Sequence, residues 1–183
     1  MIQFRIQSTP NPRARKYVLD RTVKAEGKVS YQASDDCEHV PMAAALLEVP
    51  AITQVHLFAN VLTITQDGNM DWGQLDHVVQ NLVNEKISEH DIYFVDHPEK
   101  PRSLKEHQSP ELTRIEAILE RTIRPGLQMD GGDIELVELE DNVLSLRYLG
   151  ACGGCPSAML GTLEAIKEIL REEFHQELEV VAL

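Results

Sequence analysis

The stretch "FVDHPEKPRSLKEHQSPE", residues 94–111, carries three prolines and many charges, with almost no apolar side chain after Val95. Such a segment has nothing to bury and can sustain neither a helix nor a central strand, so it reads as a linker. It divides the 183 residues into a first domain at 1–94 and a second at 110–183, joined by 95–109. Each is long enough to enclose a core, the second near the lower limit. A composition of 43% apolar and 26% charged residues is that of a globular chain. No eighteen apolar residues run together, so no membrane-spanning helix and no membrane partner are expected. The opening "MIQFRIQSTPNP" lacks the layout of a secretory signal, and the expected compartment is the cytoplasm.

Hydrophobic patterning gives both domains an α+β fold class. In the first, "IQFRIQ" alternates as a half-buried strand and "STPNPRA" breaks it. "RKYVLD" is a candidate second strand, and "VPMAAALLEVP" is a short helix bracketed by Pro41 and Pro50. "ITQVHLFANVLTITQ" forms a hairpin turning at Ala59-Asn60. Leu75, Val78, Val79, Leu82 and Val83 recur at helical spacing over about 71–87. In the second domain, Ser109-Pro110-Glu111 caps a helix that Arg124-Pro125-Gly126 is expected to stop. "IELVEL" and "VLSLRYL" are strands joined at Asp141-Asn142. A cysteine loop follows, then a helix of some four turns from about Ser157, then the closing strand "LEVVAL".

The net charge of −13 argues against a nucleic-acid partner, because phosphate binding is built from Lys and Arg. From residue 110 onward fifteen acids face six bases; a solvated acidic surface explains them, and a preference for basic partner surfaces is the sharper alternative. Only Cys37, Cys152 and Cys155 occur, too few and too odd in number for a secreted disulfide framework. Cys37, among acids in "SDDCEHV", reads as an incidental surface or half-buried thiol. The seven histidines are scattered without ligand spacing.

Cys152 and Cys155 lie between a strand and a helix, where the first turn's unpaired N–H groups and the helix dipole favour thiolate. Gly153 and Gly154 let the backbone fold close to sulfur, and Pro156 suits the first helical turn. As a thioredoxin-like pair, the loop has the right position but not the usual βαβ surroundings. A zinc site lacks its second ligand pair. An iron-sulfur site also wants four thiolates, but two copies meeting about a two-fold axis supply them. A cluster held at such a seam is open to incoming thiols, which suits delivery more than electron transfer. The redox pair remains the competing reading. Gly131 and Gly132 serve a turn before a strand; the functional alternative is that this turn lies beside the cysteine loop and lets two subunits approach. Met159 and Leu160 read as core, and Asp130 and Asp133 as turn residues.

"DGGDIELVEL" followed by "LGACGGCPSAMLGTLEAIKEIL" closely resembles the NifU C-terminal domain, the Nfu-type iron-sulfur scaffold. "STPNPRARKYVLD" and "AAALLEVPAITQVHLFANVLTITQ" resemble the Nfu N-terminal domain. The resemblance implies a non-enzymatic protein that holds a 4Fe-4S cluster between two subunits through Cys152 and Cys155. It would take clusters from an upstream donor and pass them to apo iron-sulfur proteins, dimerising as the cluster binds.

Overall fold

The computed structural model describes residues 2–33, 35, 37–95, 109–153 and 156–183. Most of the expected linker lies outside them. Backbone contacts divide the chain into two compact units, Met1–Asp96 and His97–Leu183. Both mix helices and strands, as the α+β reading requires.

The first unit is a five-stranded antiparallel sheet with two helices. Its strands are β1 (Phe4–Ser8), β2 (Ala14–Leu19), β3 (Lys24–Gln32), β4 (Ile52–Ala59) and β5 (Val61–Gln66), in the spatial order β1-β2-β5-β4-β3. Helix α1 (Pro41–Leu47) contributes Met42, Ala43 and Leu46 to the core, and α2 (Trp72–Lys86) contributes Leu75, Val79 and Val83. These meet Tyr17, Leu57, Leu62 and Ile64 from one face of the sheet. Alternation along each strand sets that face. The β4-β5 hairpin turns at Ala59, whose φ of 49° is left-handed, and the Asn60 amide donates to the Leu19 carbonyl at 2.9 Å. Helix α2 opens on Asp71, whose Oδ1 accepts from Gly73 N at 2.8 Å.

Strand β3 has no counterpart among the elements read from the sequence. Its apolar alternation is interrupted by Gly27 at φ 69° and by a register shift between Lys24 and Lys28. Lys24 is buried; its Nζ donates to the Phe94 carbonyl at 3.0 Å and lies 4.3 Å from the centre of that ring. Cys37 is buried in this unit's core, deeper than its acidic surroundings suggest.

The second unit runs α3 (Pro110–Thr122), α4 (Arg124–Met129), β6 (Gly132–Glu140), β7 (Val143–Gly150), α5 (Pro156–Glu173) and β8 (Glu179–Ala182). Antiparallel β6-β7 turns through Asp141 and Asn142, at φ 46° and 64°, the pair of left-handed residues a tight hairpin requires. Strand β8 returns parallel to β7 after α5. Ile115 and Leu119 of α3 pack with Ile134, Leu146, Ile166 and Leu170 in the core. The Ser109 hydroxyl caps α3, accepting from Leu112 N at 3.2 Å. Helix α3 stops just ahead of Arg124-Pro125-Gly126, as the sequence suggested, but a second short helix that the sequence reading did not contain follows it. The chain breaks at Ile123 and resumes at once as α4, because Pro125 falls in a first turn that needs no N–H from it.

Candidate functional site

Strand β7 delivers the cysteine loop. Its last residue, Gly150, has φ 61°, and Gly153 N donates to Gly150 O at 3.0 Å, turning the chain sharply around Cys152. Cys152 is 7% exposed and packs on the core cluster of the second unit. Gly154 and Cys155 lie outside the described residues, and α5 begins directly after them at Pro156.

Beneath Cys152 is the Gly131-Gly132 turn. Ala151 N donates to Gly131 O at 3.1 Å, and Gly132 pairs with Gly150 in the ladder. A β-carbon on Gly132 would overlap Cys152 Sγ and sit 2.9 Å from the Cys152 backbone nitrogen. Gly131 itself has φ 78°. The glycine pair therefore does two jobs: the first residue makes the left-handed turn and the second admits sulfur against bare backbone. The turn before the strand, the structural reading, is there, and so is the closeness to the cysteine loop that the functional alternative called for.

Asp133, read as a turn residue, is fully buried. Its Oδ1 accepts from Arg124 Nη1 and from Ile134 N, both at 2.7 Å, and its Oδ2 accepts from Gln128 Nε2 at 3.0 Å. Arg124, 2% exposed, also donates to Ile134 O at 2.9 Å and pairs with Glu116 and Glu120 of α3. Burial pulls the guanidinium below its ordinary range, while the Asp133 charge beside it opposes that shift. Together these bonds fasten α4 to the start of β6 and hold the floor on which Cys152 rests. Nothing in "DGGD" distinguishes a turn acid from one folded under the strand; only the partner Arg124, nine residues away, reveals the difference.

On the other side, the Tyr148 hydroxyl donates to Met159 O at 3.0 Å and ties β7 to the start of α5. Its phenol is pushed up to about 12, first by burial and then by negative charge on Cys152. Met159 packs against the core as expected. Leu160 does not: it is 67% exposed, because the core-facing side of α5 passes through Ile166 and Leu170. Among the described residues, no three or more His, Cys, Asp or Glu side chains are grouped to hold a metal, and no helix is long and apolar enough to cross a membrane. Chemically, Cys152 offers a soft sulfur with backbone close beside it, suited to iron or to disulfide exchange.

Comparison with known proteins bears on which. The family model for the NifU-like domain matches residues 115–181, and that for the scaffold protein Nfu/NifU N terminal matches residues 2–90. The chain is 29% identical over 169 residues to "NifU-like protein 5, mitochondrial" of Arabidopsis thaliana, covering 90% of this chain and 62% of that protein. It is 22% identical over 166 residues to "NFU1 iron-sulfur cluster scaffold homolog, mitochondrial" of Homo sapiens, covering 90% and 65%. It thus spans less than two thirds of the length of these relatives. A solution structure of a NifU-like protein from Saccharomyces cerevisiae aligns with a TM-score of 0.46 at 18% identity, over 51% of this chain and 85% of that one.

Proposed function

The chain belongs to the Nfu family, its N-terminal and NifU-like domains following each other in order, and from that premise we propose that it carries iron-sulfur clusters between proteins. Cys152 and Cys155 of one subunit and the same pair of a second bind a 4Fe-4S cluster at the seam between them. The observation that carries this reading is the seat of Cys152: a sulfur resting on the bare backbone of Gly132, at the end of a strand and ahead of a helix. Two cysteines per chain are half of a four-thiolate site, and a second copy of the loop supplies the other half.

The protein acts as carrier, not catalyst. The cluster is cargo, arriving from an upstream donor and leaving for an apo-protein. Departure is ligand exchange: each incoming thiolate forms an iron–sulfur bond as one to Cys152 or Cys155 breaks, and the departing thiolate takes up a proton. Holding the cluster between copies keeps those bonds within reach of the recipient. Reduced cysteines suit a reducing compartment such as the cytoplasm.

Anaerobic loading with iron and sulfide tests the assignment. Wild-type protein should take up about two irons per chain, the share set by one cluster of the four-iron class between two subunits, and Cys152→Ser and Cys155→Ser should each abolish uptake. Insulin-reducing activity without iron uptake would instead make the pair a thiol-disulfide oxidoreductase.

A further inference from the structure

The inward side of β7 runs through Leu144, Leu146 and Tyr148, all three in the core of the second unit. The tyrosine departs from the chemistry of that stripe. A leucine or a phenylalanine would fill the place without carrying a hydroxyl to a site 4% exposed, and a buried hydroxyl costs free energy unless it finds a partner. The Tyr148 hydroxyl donates to the carbonyl of Met159, 3.0 Å away and eleven residues along the chain. Within a helix such a carbonyl already accepts from the amide four residues on, so the phenol takes its second lone pair. The helix itself has no need of the bond.

What the bond joins is the entry and the exit of the cysteine loop. Tyr148 stands four residues ahead of Cys152, and Met159 four residues beyond Cys155. Strand β7 is fixed by its ladders to β6 and β8. The start of α5 is held more weakly by apolar packing: among its described side chains the buried ones, Ile166 and Leu170, come beyond the second turn, while Met159 is half-buried and Leu160 exposed. The Tyr148 hydroxyl fastens that weaker end to the firm one.

We propose that Tyr148 is a positioning residue for the cargo: its hydroxyl holds the two ends of the cysteine loop at one separation, so that the loop is arranged before the cluster binds and releases it slowly. This rests on the carrier reading. A loop held near its bound shape loses less freedom on binding than one that must first be ordered. Without the hydroxyl, the iron–thiolate bonds open more often.

Tyr148→Phe keeps the ring and removes only the oxygen. Ser109→Ala is the control, since it weakens the same unit at the α3 cap, outside the loop. Each change removes one hydrogen bond, and both apo variants should melt about 4–8 °C below wild type. Wild type and variants are loaded anaerobically with iron and sulfide at equal concentration. Excess EDTA, which takes iron in either oxidation state, is then added, and the loss of the cluster's visible absorbance is followed. Tyr148→Phe should lose its cluster about tenfold faster than wild type, the low end of what partners of metal ligands contribute, and Ser109→Ala should lose it at the wild-type rate. An unchanged rate in Tyr148→Phe overturns the proposal, and so does an equal acceleration in Ser109→Ala, which would make stability alone the cause; the carrier reading survives both. If wild-type protein takes up no iron, the carrier reading itself fails and Tyr148 has no cargo to hold.

Discussion

At Gly132 the fold leaves no room for a methyl group, since the nearest atoms are the sulfur, β-carbon and backbone nitrogen of Cys152. Gly132→Ala must push the cysteine loop outward, an overpacking cost of about 1–3 kcal/mol. Its apo form should melt below wild type, and the displaced thiol should retain iron less well after loading; a variant that melts and loads like wild type would show that the close approach is unimportant. One residue on, Asp133 is buried with Arg124. A buried pair adds little net stability but costs about 3–5 kcal/mol to break from one side, because the remaining charge is stranded. Asp133→Ala should show that loss in the urea transition of the second unit, whereas Arg124→Met with Asp133→Leu should recover most of it. In the first unit, Tyr17 donates to Asp76 at 2.7 Å, and burial, then that bond, raises its phenol far above the ordinary 10.0. An unfolded tyrosine loses its proton near pH 10 while folded Tyr17 keeps it. The unfolded state therefore binds fewer protons above that pH, and stability whole below pH 10 falls at about 1.4 kcal/mol per pH unit beyond it. In base titrations followed by circular dichroism, Tyr17→Phe should make this fall shallower; an unchanged slope would contradict the assignment.

Among the elements, α3 starts at the Ser109 cap that its sequence displays, and Ser109→Ala should cost about 1 kcal/mol, read from the chemical denaturation of the second unit. Elements with clean periodicity were legible in this way. Helix α2 follows from Leu75, Val79 and Val83, and the β6-β7 hairpin from Asp141-Asn142 between alternating runs. Strand β3 was not, because Gly27 and a bulge break the alternation and its pairing with β4 is long-range. Helix α4 was hidden by Pro125, which signals a stop within a helix and a start in its first turn; only the break at Ile123 decides between them. The site divides similarly. The two cysteines, their glycines and Pro156 were visible as a loop between strand and helix. That Gly132 lies under Cys152 depends on the pairing of Gly132 with Gly150, and the burial of Asp133 depends on Arg124; neither partner is marked by spacing. Leu160 followed the apolar pattern of α5 and still faces out, since periodicity gives the stripe but not its edge.

For the molecule as a whole, two units and a charge of −13 set the terms of its encounters. Cluster transfer to a basic recipient should slow as salt rises, because attraction between opposite surface charges is screened within a Debye length; a rate that ignores ionic strength would remove electrostatics from recipient choice. The central claim is that the cargo completes its coordination only between two copies of the cysteine loop. Native mass spectrometry of the anaerobically loaded protein weighs that claim directly. The mass should be that of two chains plus one four-iron, four-sulfide cluster, reverting to smaller apo species in Cys152→Ser; one chain carrying the whole cluster, or a single metal ion, would contradict it.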